Sequence, residues 1–118
     1  MFRMPLLKLE TTVVIPEDKR SALLASLSKI VTESTGKPEQ YVMVTVTQNA
    51  ILMSGKPDSA AFVDVRGIGG LNAGVNQRMT QQICQLLSDT LGIAPDRTYL
   101  NFTEVPAENW GWNGDTFG

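Results

Sequence analysis

The sequence predicts an α/β fold of the segregated α+β kind: duplicated β-α-β units forming a four-stranded sheet with two helices on one face. Three observations carry this reading. Two helix-length stretches each follow one strand pattern and precede another. Both helices end on a glycine, with a proline two or three residues beyond. The apolar period switches between two and 3.6 at each junction. At 118 residues the chain has the length of one domain, enough to bury a core without disulfides or metal.

Residues 6–14 form the first expected strand, with Leu7, Leu9, Thr11 and Val13 on one face. Pro16-Glu17-Asp18 opens a helix, because proline suits its first turn and acids suit the positive end of its dipole. Leu23, Leu27, Ile30, Val31 and Ser34 share one stripe of it, and Gly36 closes it ahead of Pro38. Residues 41–47 follow as a strand rich in β-branched side chains. The order then repeats. Residues 60–66 are a strand and Gly67-Ile68-Gly69-Gly70 a loop, before a helix with Val75, Met79, Ile83, Leu86, Leu87 and Thr90 on its stripe. Gly92 ends that helix, Pro95-Asp96-Arg97 turns the chain, and residues 98–104 are the fourth strand.

Right-handed crossovers place both helices on one face of the sheet. The other face is left bare, and the strands hold enough Val, Met, Phe and Leu to suggest that oligomerisation covers it. Residues 106–118 lie outside the repeat and carry both tryptophans. Such a tail is expected to dock, on its own chain or on a neighbour.

Composition excludes several function classes. A formal charge of -2, with no run of Lys or Arg, argues against nucleic acid. The sequence has no histidine, which removes imidazole acid–base chemistry and makes zinc and haem sites poor readings. The single cysteine, Cys84, falls in the apolar row of the second helix and reads as a buried structural thiol. No apolar run approaches the roughly 18 residues of a spanning helix, and no signal-peptide pattern opens the chain. A cytoplasmic protein is expected, with secretion by a route without a signal peptide as the alternative.

Familiar catalytic sets are missing too: neither a Ser-His-Asp triad nor a Cys-His pair can be assembled. The 67–70 loop lacks the spacing of a nucleotide-binding motif, although its glycines allow backbone N–H groups to face a ligand in an anion-binding nest.

Five segments nevertheless share one pattern. They are Met4-Pro5; Thr35-Gly36-Lys37-Pro38-Glu39-Gln40-Tyr41; Gly67-Ile68-Gly69; Pro95-Asp96-Arg97-Thr98-Tyr99-Leu100-Asn101; and Asn109-Trp110-Gly111-Trp112-Asn113 with Thr116-Phe117. In order and spacing the chain resembles the macrophage migration inhibitory factor family of the tautomerase superfamily. That resemblance implies a ring-shaped homotrimer and a cofactor-free, metal-free keto–enol tautomerase for small α-keto acids such as phenylpyruvate. It implies that Pro5 is the catalytic base, freed by removal of Met4, within a single domain at 5–118 behind an extension at 1–4. Lys37 then holds the substrate carboxylate, and the Ile68 backbone N–H binds the substrate. Tyr99 and Asn101 enter from a neighbouring subunit, while Trp110 and Trp112 wall the pocket.

Each residue also has a plainer reading. Pro5 suits the first position of an edge strand, and Lys37 a solvated helix C-terminus. Tyr99 and Asn101 suit a packing pair, and the tryptophans suit aromatic packing.

The chain departs from the family pattern in three ways. Met1-Phe2-Arg3 precede Met4, and Phe2 is too large for routine removal of Met1, so translation from Met1 leaves Pro5 as an internal amide. Pro57-Asp58-Ser59-Ala60-Ala61 stands in place of the family's CxxC, so thiol oxidoreductase chemistry is not expected. Trp110 is larger than the usual aliphatic residue, and Gly70 replaces a common lysine, which reshapes the pocket. Two further readings compete with the tautomerase. One is a cytokine-like binding protein with a vestigial pocket, meeting a protein receptor if secreted. The other is hydration or dehalogenation of an unsaturated acid, which needs arginines or carboxylates that the sequence does not place near Pro5.

Overall fold

The computed structural model describes residues 3–118, giving the backbone alone for residues 3 and 4; Met1 and Phe2, part of the expected extension, lie outside the described residues. The order is β1 (Arg3–Thr11), α1 (Glu17–Thr35), β2 (Met43–Gln48), β3 (Ala61–Ile68), α2 (Ala73–Leu91) and β4 (Thr98–Glu104). Two short strands, β5 (Gly111–Trp112) and β6 (Asp115–Thr116), then pair as a hairpin. The main sheet runs β2-β1-β3-β4. Each β-α-β unit supplies a parallel pair, β1 with β2 and β3 with β4, and the units meet through antiparallel β1 and β3. The duplication expected from the sequence is therefore the architecture.

Pleating sorts the side chains. Leu7, Leu9, Ala61, Val63 and Val65 face the helices and pack with Leu23, Leu27, Val31, Met79, Ile83 and Leu87 in one core. Full burial of a Leu, Ile, Val or Met side chain is worth about 1.5–3 kcal/mol, so this layer holds the helices on the sheet. Both helix stripes follow the expectation with one exception. Thr90 is exposed, its hydroxyl donating to the Leu86 carbonyl. Cys84 is half-buried rather than buried, one position off the Ile83 line.

Two strand ends differ from the expectation. β1 stops at Thr11 because that hydroxyl donates to the Ala60 carbonyl at 2.9 Å and accepts from the Val13 N–H at 3.1 Å. The chain turns off the sheet there, ahead of the expected end at Val14. β2 starts at Met43 because Glu39–Tyr41 forms a single 3-10 turn, in which the Tyr41 N–H donates to the Pro38 carbonyl. The α2 start is capped by Asn72, whose Oδ1 accepts from the Val75 N–H at 3.0 Å.

The sheet's second face is less apolar than expected. Alternation sends the valines towards the helices and leaves Leu6, Met43, Phe62 and Tyr99 among Lys8, Glu10, Thr45, Asp64, Arg66, Asn101 and Thr103. Arg66 pairs with Asp64 at 3.0 Å on this face. Among the described residues no helix is long and apolar enough to cross a membrane.

Candidate functional site

The site begins at an irregularity in the middle of the sheet. Arg3 pairs with Ile68 and Leu6 with Arg66, so Met4 and Pro5 together stand opposite the single residue Gly67. This is a β-bulge, a device that re-aims side chains beside functional sites. Pro5 is buried there, in a strand flanked by β2 and β3, so it is not the edge-strand proline of the plainer reading. The bulge explains how a central strand accepts a residue without an N–H.

Lys37 arrives at the same corner from α1. Gly36 adopts the left-handed conformation, with φ 71°, and turns the chain back over the sheet. The Thr35 hydroxyl donates to the Val31 carbonyl at 2.6 Å and accepts from the Lys37 N–H at 3.3 Å, fixing where the side chain departs. Lys37 is only 4% exposed, and its Nζ donates to the Ile68 carbonyl. A solvated lysine at a helix end is thereby excluded. The structure brings Pro5, Lys37 and Ile68 into one neighbourhood.

The loop after Ile68 differs from expectation. Gly69 and Gly70 both take positive φ, 75° and 86°, and the N–H groups of Gly69 and Leu71 converge on one point as a nest would have them. Both are already occupied. The Glu104 carboxylate accepts from Gly69 at 3.1 Å and from Leu71 at 3.0 Å, so the chain supplies its own anion. Gly70 lies under Lys37, where a Cβ would stand 2.8 Å from the lysine Cε.

An aromatic wall follows. The Trp112 ring stacks on Phe117, with centroids 5.9 Å apart, and meets Tyr41 edge-on at 6.2 Å. Tyr41 closes the 3-10 turn at Glu39–Tyr41, so the tail docks on its own chain through Tyr41. Trp110 is half-buried, and its carbonyl closes the hairpin by accepting from the Phe117 N–H at 3.1 Å.

Tyr99 and Asn101 stand elsewhere. Both project from β4 onto the second sheet face, where Tyr99 is 66% exposed. Asn101 pairs with Asp64, three residues down β3 from Gly67 and two strands away from Pro5. At ~3.3 Å per residue and ~4.8 Å per strand, that separation is roughly 14 Å. One chain does not unite them with Pro5.

Reading the sequence alone missed Thr35, Tyr41, Phe117 and Glu104 as members of this corner. Three of the four lie within the segments that carry the family pattern, a signal that could have found them. Glu104, an acid at a strand end, gave none. Among the described residues no group of three His, Cys, Asp or Glu side chains is gathered as a metal would require.

A family model described as macrophage migration inhibitory factor matches residues 4–118. The macrophage migration inhibitory factor of Rattus norvegicus is 36% identical over 118 residues, covering 97% of this chain and 99% of that protein. The homolog from Brugia malayi is 33% identical, covering 98% of this chain and 100% of that protein. Among solved structures, the homologue from Prochlorococcus marinus superposes with a TM-score of 0.90 at 38% identity, covering 96% of this chain and 99% of that one. The migration inhibitory factor-like protein of Entamoeba histolytica gives 0.93 at 32% identity, covering 98% and 100%.

Proposed function

The chain belongs to the macrophage migration inhibitory factor family, and on that premise we propose that it is a cofactor-free keto–enol tautomerase of small α-keto acids, phenylpyruvate among them. The observation that supports this reading best is the buried Lys37 ammonium, directed at the Ile68 carbonyl beside the bulge that holds Pro5. A buried cation suits a small carboxylate, and the aromatic cluster of Tyr41, Trp112 and Phe117 suits an aryl end.

In this reading the domain proper is 5–118, and the reactive form begins at Pro5. A free α-amine titrates at about 7.7–8.0 in the open. Burial and a neighbouring ammonium both favour its neutral form. The amine takes the proton from the carbon next to the carbonyl. The electron pair moves into the new carbon–carbon double bond, and the protonated amine returns the proton to the carbonyl oxygen as the enol forms. Lys37 and the Ile68 N–H hold the carboxylate, and Trp112 with Trp110 borders the aryl end. Tyr99 and Asn101 complete the pocket from the next subunit of a homotrimer, which accounts for their distance from Pro5 within one chain.

The second reading is a cytokine-like binding protein, and one feature favours it: with Met1-Phe2-Arg3-Met4 in place, the Pro5 nitrogen is an amide. An amide has given its lone pair to resonance and cannot serve as a base. The test is to prepare the chain from Met1 and the chain from Pro5, and to follow phenylpyruvate ketonisation by absorbance. The trimmed form should exceed the extended one by at least about 10²-fold, the lower end of general base catalysis. Equal activity removes Pro5 from the mechanism. Two inactive, folded proteins favour the binder.

A further inference from the structure

The Glu104 carboxylate has no part in the reaction just described, yet it is joined to the loop that follows Ile68. β4 ends beside that loop: Glu104 pairs with Gly67, and the Val105 N–H donates to the Gly67 carbonyl at 2.8 Å. From there Glu104 reaches over the turn and accepts from the N–H of Gly69 and of Leu71. The peptide between Ile68 and Gly69 is thus held at both ends. Its carbonyl receives the Lys37 ammonium, and its N–H is given to the Glu104 carboxylate.

The orientation of this peptide has an electrostatic consequence. The plane of this peptide turns on ψ of Ile68 and φ of Gly69, and Gly69, at φ 75°, is a residue with no Cβ to oppose the turn. Turned over, the Ile68 carbonyl would leave Lys37. Its negative end would then lie free to approach any anion bound there. With both ends fixed, the carbonyl stays on the ammonium, while the Ile68 N–H belongs to the preceding peptide, whose Gly67 carbonyl accepts from the Val105 N–H beside Glu104. Charge-assisted hydrogen bonds are the stronger kind, and two from one carboxylate define a direction as well as a distance.

We infer that Glu104 is a positioning residue: it locks the Ile68–Gly69 peptide so that Lys37, held by that peptide's carbonyl, presents a fixed receptor beside the Ile68 N–H to a small carboxylate. The inference deepens the tautomerase reading and rests on it for the kinetic arm of its test alone.

The test uses Glu104→Gln and Glu104→Asp in the chain beginning at Pro5. Glutamine keeps the size but offers one acceptor oxygen in place of two. Aspartate keeps the charge at shorter reach. Amide hydrogen exchange, resolved by NMR, reads Gly69 and Leu71 directly, with the α2 amides as the control for folding. Titration with phenylacetate, an unreactive aryl carboxylate, reads anion affinity without chemistry. In E104Q the protection of Gly69 and Leu71 should fall about tenfold or more, the worth of one such hydrogen bond, while α2 is unchanged. Phenylacetate should bind several-fold more weakly, and the KM for phenylpyruvate should rise with kcat within about twofold, the pattern of lost uniform binding. E104D should recover part of each.

Unchanged exchange in E104Q overturns the inference, as does lost protection with phenylacetate affinity intact. A parent protein that does not bind phenylacetate overturns it as well. Weakened phenylacetate binding in a parent that shows no tautomerase activity sinks the proposed reaction and leaves the positioning role standing.

Discussion

Lys37 lies across Gly70 so closely that a Cβ at that glycine would stand 2.8 Å from Cε and 3.7 Å from Nζ. Gly70 also holds φ at 86°, a conformation that side-chain-bearing residues rarely adopt. The two facts act separately: the φ strains any side-chain-bearing residue, and a side chain here would require the end of Lys37 to shift. The lysine common at this position in the family would collide with Lys37 as it is placed here.

Gly70→Ala should therefore cost about 1–2 kcal/mol of stability through the strained φ, with displacement of Lys37 added to it. Urea unfolding measures the first part. The second appears as a raised KM, or weaker phenylacetate binding, beyond what the stability loss explains. An alanine variant with native stability would mean that the loop relaxes freely, and the close packing of Lys37 would lose its importance.

Lys37→Ala should raise the KM for phenylpyruvate roughly ten- to a hundredfold, the worth of a charge-assisted hydrogen bond of about 1.5–3 kcal/mol. Asn101→Ala should also impair the enzyme. If the pocket spans two subunits, the two variants complement each other. Refolded together, they form mixed trimers in which some pockets have both native residues. Activity above the sum of the separate variants is the expected result. Light scattering that shows a monomer, or mixing that restores nothing, would remove Tyr99 and Asn101 from the pocket.

Arg97 should be a keystone for stability although it lies far from the chemistry. Its guanidinium donates to four carbonyls: Ser59 at 3.2 Å, Met53 at 2.7 Å, Lys56 at 3.1 Å and Asp58 at 2.9 Å. One planar fork thus gathers the segment between β2 and β3. Arg97→Ala should lower stability by about 2–4 kcal/mol, since several charge-assisted bonds are lost together and do not add in full. Lysine should rescue little, being a point donor without the fork. A change under about 0.5 kcal/mol, the size expected at an ordinary surface site, would contradict this.

Cys84 should react slowly. Burial raises its pKa above the ordinary thiol value, and the thiolate is the reactive form. At pH 8 the folded protein should modify more slowly with a disulfide reagent than the same protein in urea. The folded rate should also climb through a higher pH range than a free thiol shows. A folded rate matching the unfolded one would place the sulfur in open solvent.

Much of the fold could be read without coordinates, because it rests on periodicity. Leu7, Leu9, Leu27, Val31, Ile83 and Leu87 announce their faces through local spacing, and each is buried. β4 was bounded correctly because a Pro-Asp-Arg turn precedes it and the apolar alternation ends with it. Boundaries failed where long-range bonds decided them, as with Thr11 and its partner Ala60, 49 residues away. The candidate site divides along the same line. Pro5, Lys37, Ile68 and Trp112 are candidates by their motifs, and the roles proposed for them rest on the family.

By itself, then, the sequence determined the duplicated β-α-β order, the two faces of each helix and the glycines that end them. Those follow from hydrophobic period and backbone sterics, which act within a few residues. Only the tertiary structure decided that Pro5 sits at a bulge in a central strand, that Lys37 is buried against Ile68, and that Glu104 fills the nest its own chain makes. Each joins residues more than thirty positions apart. Such contacts depend on how the strands are ordered and in what register they pair, and no local pattern encodes the distance across a sheet.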